Sequence, residues 1–312
     1  MPDYRVLENY LSRLGRNELD YNKNAPLDRC CTFRIGGPAD YTAYPKTTEA
    51  LIGILDLVSA ERIPVAVLGN GSNILFDDTG FRGIVVFTSG LKEIRCSGSY
   101  ITCESGASLA KLCEIARQNS LSGLEFAFGI PGTCGGAIYM NAGAFGGEMS
   151  QIVVRSTCYC PSTGMILTLE DDQHSFGYRC SFFTGKEHII LRAELHMVYD
   201  DSEAIQRRME ANIKARAEKQ PLEYPSAGSV FKRCPGHFIA QLIDNAGLKG
   251  RSVGAAQVSE KHAGFIINRG GATSGDVINL ITEIRNELYR LHSLDIECEI
   301  KYLLPEGGYG RL

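Results

Sequence analysis

Gly129-Ile130-Pro131-Gly132-Thr133-Cys134-Gly135-Gly136-Ala137, followed closely by Asn141-Ala142-Gly143-Ala144, is the densest glycine segment of this 312-residue chain. Glycines 129, 132, 135, 136 and 143 fall within 15 residues, with Gly146 just outside. Glycine lets a backbone approach another molecule closely and take conformations closed to other residues. A flexible linker carries serine and polar filler, whereas Ile130, Ile138, Tyr139 and Met140 imply burial. The segment reads either as a glycine-rich packing seam or, more convincingly, as a cradle for a cofactor.

A second such segment lies upstream, in Leu68-Gly69-Asn70-Gly71-Ser72-Asn73-Ile74-Leu75. The apolar run before it, Val65-Ala66-Val67-Leu68, predicts a buried strand that leads straight into the loop. Successive backbone N–H groups freed by glycine form an anion nest, and Ser72 and Asn73 add side-chain donors. Alone, a Gly-Asn-Gly loop is more often a plain turn. It is neither the Gly-x-Gly-x-x-Gly dinucleotide fingerprint nor a Walker loop, because no Gly-Lys-Ser/Thr follows.

Periodicity supplies the surrounding elements. Leu7, Tyr10, Leu11 and Leu14 predict a short N-terminal helix, and Leu51, Ile54, Leu55 and Val58 a second one, capped by Thr48 and stopped by Pro64. Strands are expected at 84–88, 100–104, 152–160 and 189–199, and Ser108 opens a helix through Leu109, Leu112 and Ala116. Ile205, Met209 and Ile213 recur every four residues in a charged helix that reads as a connector. Beyond it an α+β unit is expected, with helices at 237–246 and 274–292 and strands at 264–268 and 295–303. The division that follows is 1–29 as helix and lead-in, and 30–200 as a first domain with lobes of about 30–95 and 96–200. Residues 201–220 form the connector, 221–304 a second domain, and 305–312 a loose glycine-rich tail.

Bulk properties exclude several classes. A net charge of −4 and a pI near 5.9 provide no basic field for nucleic acid or an anionic membrane. Met-Pro-Asp-Tyr-Arg-Val lacks the basic start and apolar core of a signal peptide, and no apolar run reaches the length of a membrane span. A cytoplasmic protein is expected. Its eleven cysteines form no Cys-x-x-Cys pair, and Cys158 and Cys160 alternate onto one strand face, so reduced and buried thiols are expected. Six scattered histidines offer no zinc spacing, so no metal is expected.

Further candidates lie outside the glycine loops. Pro225-Ser226-Ala227-Gly228-Ser229-Val230-Phe231-Lys232 holds a serine hydroxyl in a tight turn closed in by apolar Val230 and Phe231. No Gly-x-Ser-x-Gly elbow is present, which counts against hydrolase chemistry. Arg179, in Tyr178-Arg179-Cys180-Ser181, offers a fixed fork to a carboxylate, although a lone loop arginine is ordinarily a surface ion pair. Glu297 and Glu299 are two apart on a predicted strand and would share a face, as they also would on a solvated strand continued by Lys301. These residues alone do not choose between the two glutamates.

Taken together, the two loops, Tyr178-Arg179-x-Ser181, Gly228-Ser229 and Glu297-x-Glu299-Ile300 resemble the UDP-N-acetylenolpyruvoylglucosamine reductase family. The likeness runs from about residue 24 to 303 and is to the type II subgroup, which has a short connection between its arginine and serine. It implies an α+β fold: a two-lobed FAD-binding domain of the vanillyl-alcohol-oxidase (PCMH) type plus a C-terminal α+β substrate domain. FAD, bound non-covalently, would contact Gly69, Asn70, Gly71, Ser72 and Asn73 on one loop. On the other it would contact Pro131, Gly132, Thr133, Gly135, Gly136, Asn141 and Gly143. Cys134 departs from the aliphatic residue expected there, and it does not match a covalent flavin site of distant relatives.

The implied reaction reduces the enol ether of UDP-N-acetylglucosamine enolpyruvate to UDP-N-acetylmuramate, with NADPH as co-substrate, in peptidoglycan precursor synthesis. Hydride goes to the vinyl carbon, and the resemblance makes Ser229 the proton donor to the adjacent carbon. Arg179 and Glu299 would stabilise the enolate, Glu299 as a buried protonated acid with a raised pKa. Tyr178, Arg216 (in Arg-x-x-x-Gln-Pro), Lys232 and Arg233 would meet the substrate, and residues 257–265, with Gly264 in place of asparagine, would line the site. The lack of a dinucleotide fingerprint fits NADPH and the sugar nucleotide using one pocket in turn. A monomer is expected. The alternatives are another FAD-dependent oxidase or dehydrogenase of the superfamily, which would need no Ser229–Arg179–Glu299 set, and a flavin-binding module without turnover.

Overall fold

The computed structural model describes residues 4–312. Two compact units divide the chain, and the division is not linear. Among the described residues, the first comprises 4–22, Tyr41–Asn70 and Ile84–Ala215. The second comprises Lys23–Asp40, Gly71–Gly83 and Arg216–Leu312. A cut at residue 220 therefore misses two short early segments, 23–40 and 71–83, which are held by strand pairing and hydrogen bonds to the end of the chain rather than by sequence proximity.

In the first unit, helix α1 (Arg5–Arg13) buries Leu7 and Leu11 in one core with Leu51, Ile54, Leu55 and Val58 of α2 (Thr48–Ala60). The cap of α2 is Thr47, one residue earlier than expected: its Oγ1 accepts a hydrogen bond from Ala50 N at 3.1 Å. Strand Val65–Leu68 pairs in parallel with Phe81–Phe87 through Val65↔Ile84 to Leu68↔Phe87, so the first glycine loop leaves the end of a buried strand. A five-stranded antiparallel sheet follows in the order Met165–Glu170, Val153–Cys160, Ile189–His196, Tyr100–Glu104, Ile94–Ser97. Helices α3 (Leu109–Gln118) and α4 (Cys134–Tyr139) share its core through Leu109, Leu112, Ala137 and Ile138. Ser108 caps α3, accepting from Lys111 N at 3.3 Å. Helix α5 (Ser202–Lys219) runs from the first unit into the second.

The second unit contains α6 (Ile239–Asn245) and α7 (Ser274–His292). A three-stranded sheet, Ser252–Val253, Ala256–Val258 and Ile266–Asn268, packs against α7. A second sheet joins Ile74–Phe76, Lys301–Leu303 and Tyr309–Gly310. Asp78 fixes the start of α7 by accepting from Ser274 N at 2.7 Å and Ser274 Oγ at 2.8 Å. Buried Asn268 donates to Phe33 O and Arg34 O, each at 3.1 Å, and accepts from Gly270 N and Ala272 N.

The C-terminal end departs from the sequence expectation twice. The strand expected at 295–303 is regular only over Lys301–Leu303, because the stretch changes partner: Cys298 bridges to Phe231, whereas Lys301–Leu303 lie beside Ile74–Phe76. The tail is not loose. Gly307 and Gly308 take positive φ of 94° and 75°, a hairpin that returns Tyr309–Gly310 to pair with Tyr302 and Leu303. Glycines read as slack instead supply a tight turn.

Candidate functional site

In the first unit the second glycine loop is sewn to its neighbours by backbone hydrogen bonds. Cys134 N donates to Ala107 O at 2.8 Å, Gly135 N to Ser105 O at 2.7 Å, and Leu109 N to Gly132 O at 3.1 Å. Asn70 Nδ2 donates to Pro131 O at 3.4 Å, joining the two loops. A side chain on Gly69 would overlap Thr133 Oγ1, and one on Gly135 would lie 2.8 Å from Ser105 Cβ, so both glycines serve close packing inside the protein. Gly136 differs. It is exposed, and a Cβ there would meet only Thr133 Oγ1, at 3.5 Å. Its missing side chain leaves open space above α4, as a cradle for a bulky cofactor such as FAD requires. Cys134 is fully buried with its Sγ 3.3 Å from Cys103 Sγ, turned into the core and not toward that space.

The Tyr178–Arg179 segment is built onto the same frame. Gly177 and Cys180 pair across a tight turn, N to O at 3.0 and 3.3 Å, which puts Tyr178 and Arg179 at its tip. Arg179 has φ +55°, a left-handed conformation that non-glycine residues rarely adopt, and its Nη1 donates to Gly143 O at 3.4 Å. The guanidinium carbon lies 5.5 Å from the centre of the Tyr178 ring. Ser181 Oγ donates to Tyr139 O, the end of α4, at 2.9 Å. Asn141 was expected to face the cofactor, but its side chain is occupied within the protein: Oδ1 accepts from Ser150 N at 2.9 Å and Nδ2 donates to Gly177 O at 3.1 Å. It therefore ties the glycine loop to the arginine turn. Gly143 stands in a hairpin where a Cβ would lie 2.8 Å from Glu148 Cβ.

His174, which the sequence reading did not single out, anchors the base of this turn. It is fully buried, and its Nδ1 donates to Asp171 O at 2.9 Å, which leaves Nε2 to accept from Ser156 Oγ at 2.8 Å. Its ring stacks on Phe176 at 5.1 Å, and burial pushes its pKa below the ordinary histidine value. The neutral ring is thus a fixed strut. The sequence separation of 18 between Ser156 and His174 carries no spacing signal from which the contact could have been read.

In the second unit the serine lies on a short run of paired backbone. Ser229 bridges to Phe265, Val230 N donates to Gly264 O at 2.8 Å, and Glu299 N donates to Val230 O at 2.7 Å. Lys232 N donates to Glu297 O at 2.9 Å. The two glutamates, alike in sequence, are separated here. Glu297 is 75% exposed and pairs with Lys232 Nζ at 2.7 Å, which holds its pKa below the ordinary carboxylate value. Glu299 is half-buried, and Asn73 Nδ2 reaches its backbone carbonyl at 3.1 Å. The first glycine loop thus ends against Glu299, the residue that pairs with Val230 next to the serine. Gly71 has φ +60° and lies so close to Cys30 O that a Cβ would come within 2.7 Å, while Ser72 O accepts from Thr32 Oγ1 at 3.4 Å. Arg216 is 8% exposed in the last turn of α5, and burial pushes its pKa down. Lys232 is half-buried, and Arg233 is exposed just before the Cys234–His237 turn.

Comparison with known proteins agrees with this division of labour. Residues 39–170 match the family described as FAD binding domain, and residues 220–303 match the UDP-N-acetylenolpyruvoylglucosamine reductase, C-terminal domain. The UDP-N-acetylenolpyruvoylglucosamine reductase of Caldanaerobacter subterraneus is 46% identical over 89% of this chain and 92% of its own. That of Clostridium botulinum is 43% identical over 91% of this chain and 92% of its own. The crystal structure of the Thermus caldophilus enzyme superposes with a TM-score of 0.77 at 33% identity, covering 91% of this chain and 98% of that one. With identity of this extent over nearly the whole length, the chain belongs to the UDP-N-acetylenolpyruvoylglucosamine reductase family.

Proposed function

We propose that this protein uses FAD and NADPH to reduce UDP-N-acetylglucosamine enolpyruvate to UDP-N-acetylmuramate. The observation that carries the assignment of roles is the backbone pairing of Val230 with Glu299, which keeps a half-buried carboxylate and the Ser229 hydroxyl on adjacent chains. The loops Gly69–Asn73 and 131–136, with Gly143, are suited to hold FAD, and Gly136 supplies the open edge. Bound FAD supplies the hydride that the vinyl carbon receives.

The remaining chemistry falls to side chains. Negative charge develops in the carboxylate and on the carbon next to it, and preorganised donors aimed at such charge dominate catalysis of this kind. Arg179 presents a planar fork to the carboxylate from a strained turn braced by Asn141, Ser181 and His174. Glu299 hydrogen-bonds the enolate, and Ser229 gives its proton to the carbon. A serine hydroxyl is a weak acid, but a carbanion-like centre is a far stronger base, so the transfer runs downhill. Tyr178 flanks the carboxylate end, while Arg216, Lys232 and Arg233 supply positive charge for the diphosphate. Asn141 acts as a brace for the arginine turn. An oxidase of the same superfamily would have no use for the Ser229–Glu299 pairing.

The protein acts as a monomer in the bacterial cytoplasm and feeds peptidoglycan synthesis, and hence cell shape and division; no helix among the described residues is long and apolar enough to cross a membrane. The test is direct. Purified protein should be yellow, should oxidise NADPH only when the UDP-enolpyruvyl sugar is present, and should react slowly with oxygen. A colourless, folded protein that takes up no added FAD would refute the proposal. Rapid oxidase turnover without the sugar nucleotide would replace it with the oxidase reading.

A further inference from the structure

Phe238 breaks two local rules at once. It is 87% exposed, the highest value among the exposed large hydrophobic side chains of the described residues. It also occupies the N-cap of α6, a position that favours Ser, Thr, Asp or Asn, and it provides no side-chain cap. Its backbone is nonetheless fixed, since Phe238 O accepts from Gln241 N at 2.9 Å and Leu242 N at 3.1 Å. The approach is equally rigid. Cys234 and His237 pair across a turn, His237 N to Cys234 O at 3.0 Å, with Pro235 and a positive-φ Gly236 (77°) between them. An aromatic ring is thus held out into solvent on a stiff mount, where it serves neither packing nor capping. Positions where a sequence breaks local rules without structural gain are where function is expected.

The mount continues the chain that carries the proposed proton donor. Ser229 to Lys232 run as extended, paired backbone, so at about 3.3 Å per residue Arg233 stands roughly 13 Å from Ser229, and the turn with Phe238 follows at once. Along this run come a hydroxyl, two cations (Lys232 and Arg233) and then an exposed ring. A sugar nucleotide has the same order of chemistry, from the reacting enol ether through the diphosphate to a planar base at the far end. We propose that Phe238 stacks on the uracil base of the substrate and so adds affinity at the nucleotide end of the site. This rests on the reading of Ser229 and its neighbours as the substrate site. Every base has a π-face, so the ring contributes affinity, and its fixed distance from the cations selects where a base can lie.

The chain contains no tryptophan, so Phe238→Trp introduces a single fluorescent reporter at the site. Oxidised holoenzyme of this variant is titrated with UDP-N-acetylglucosamine enolpyruvate in the absence of reductant, with calorimetry in parallel. Saturable quenching of the tryptophan, with the midpoint equal to the calorimetric Kd, is the expected result; NADP⁺ at equal concentration should quench it less. In steady state, Phe238→Ala should raise KM for the sugar nucleotide about tenfold, the scale of one lost base–aromatic stack, with the loss falling on KM and not on kcat. Phe238→Tyr should restore it. Calorimetric binding without quenching, or an equal rise in the KM values for both substrates, would overturn the role of Phe238 while leaving the substrate site intact. Absence of calorimetric binding would overturn both.

Discussion

Glu299 donates its backbone N–H to the carbonyl of Val230 at 2.7 Å, locking the chain that bears the glutamate beside the one that bears Ser229. Segments nearly 70 residues apart in sequence are held in register by this bond and by that from Lys232 N to Glu297 O. Geometry between two groups acting on one developing charge matters more than either group alone, and it is set here by backbone that neither side chain has to maintain.

The same pairing separates the two glutamates. Glu297 faces solvent and pairs with Lys232, and an exposed ion pair contributes about 0–1 kcal/mol. Glu297→Gln should therefore keep activity within about threefold, on that same scale. Glu299→Gln should lose about 100- to 1,000-fold in kcat, as is typical for removal of a donor to a developing oxyanion. Steady-state kinetics on the two variants decides it, and equal losses would contradict the assignment.

Gly136→Val should abolish flavin binding. A Cβ at this exposed position would meet only Thr133 Oγ1, at 3.5 Å, so folding should tolerate the change, but the valine methyl groups would enter the space left open above α4. Flavin content from the visible spectrum, alongside circular dichroism of the folded protein, is the measurement. A full complement of FAD in the variant would show that the cofactor lies elsewhere.

Asn141→Ala should harm the arginine turn more than the cofactor site. It removes the donor to Gly177 O and the acceptor for Ser150 N, both part-buried hydrogen bonds, each contributing about 0.5–1.5 kcal/mol. FAD should remain bound while KM for the sugar nucleotide rises and kcat falls. Loss of FAD with the remaining activity per flavin unchanged would make Asn141 a cofactor ligand instead.

His174 should make stability depend on pH. Its folded pKa lies below the ordinary 6.5 because it is buried, so below about pH 6.5 the unfolded chain binds more protons than the folded one. The contribution is complete above that pH and is lost as the pH falls toward and through the folded value. His174→Gln should be less stable at neutral pH, and its denaturation midpoint should fall less steeply as the pH drops below about 6.5. Identical slopes for variant and parent would show that His174 does not set that dependence.

Much of this was legible in the chain. The glycine loops, the helix over Ser274–His292 and the strand Tyr100–Glu104 stand where spacing and composition put them, because each is determined locally by turn chemistry or by a strong apolar period. What escaped was set by distant partners. Nothing near Glu297 or Glu299 says which one Lys232 will draw to the surface, and nothing near Asn141 predicts that its amide will be used by Gly177 and Ser150. The tail was misread because positive-φ glycines in a hairpin and glycines in a slack linker look the same in sequence.

The central claim is that Ser229 is the proton donor, and Ser229→Ala isolates it. The hydroxyl stands on a segment held by a bridge to Phe265 and neighbouring backbone bonds, so its removal should leave the fold, FAD content and reduction of the flavin by NADPH intact. Rapid-mixing absorbance at the flavin band follows each half-reaction. Reoxidation of the reduced variant by UDP-N-acetylglucosamine enolpyruvate should slow by about 100- to 10,000-fold, the range for loss of a general acid. Reoxidation at the parental rate would contradict the account, and loss of the NADPH step alone would assign Ser229 to nicotinamide binding.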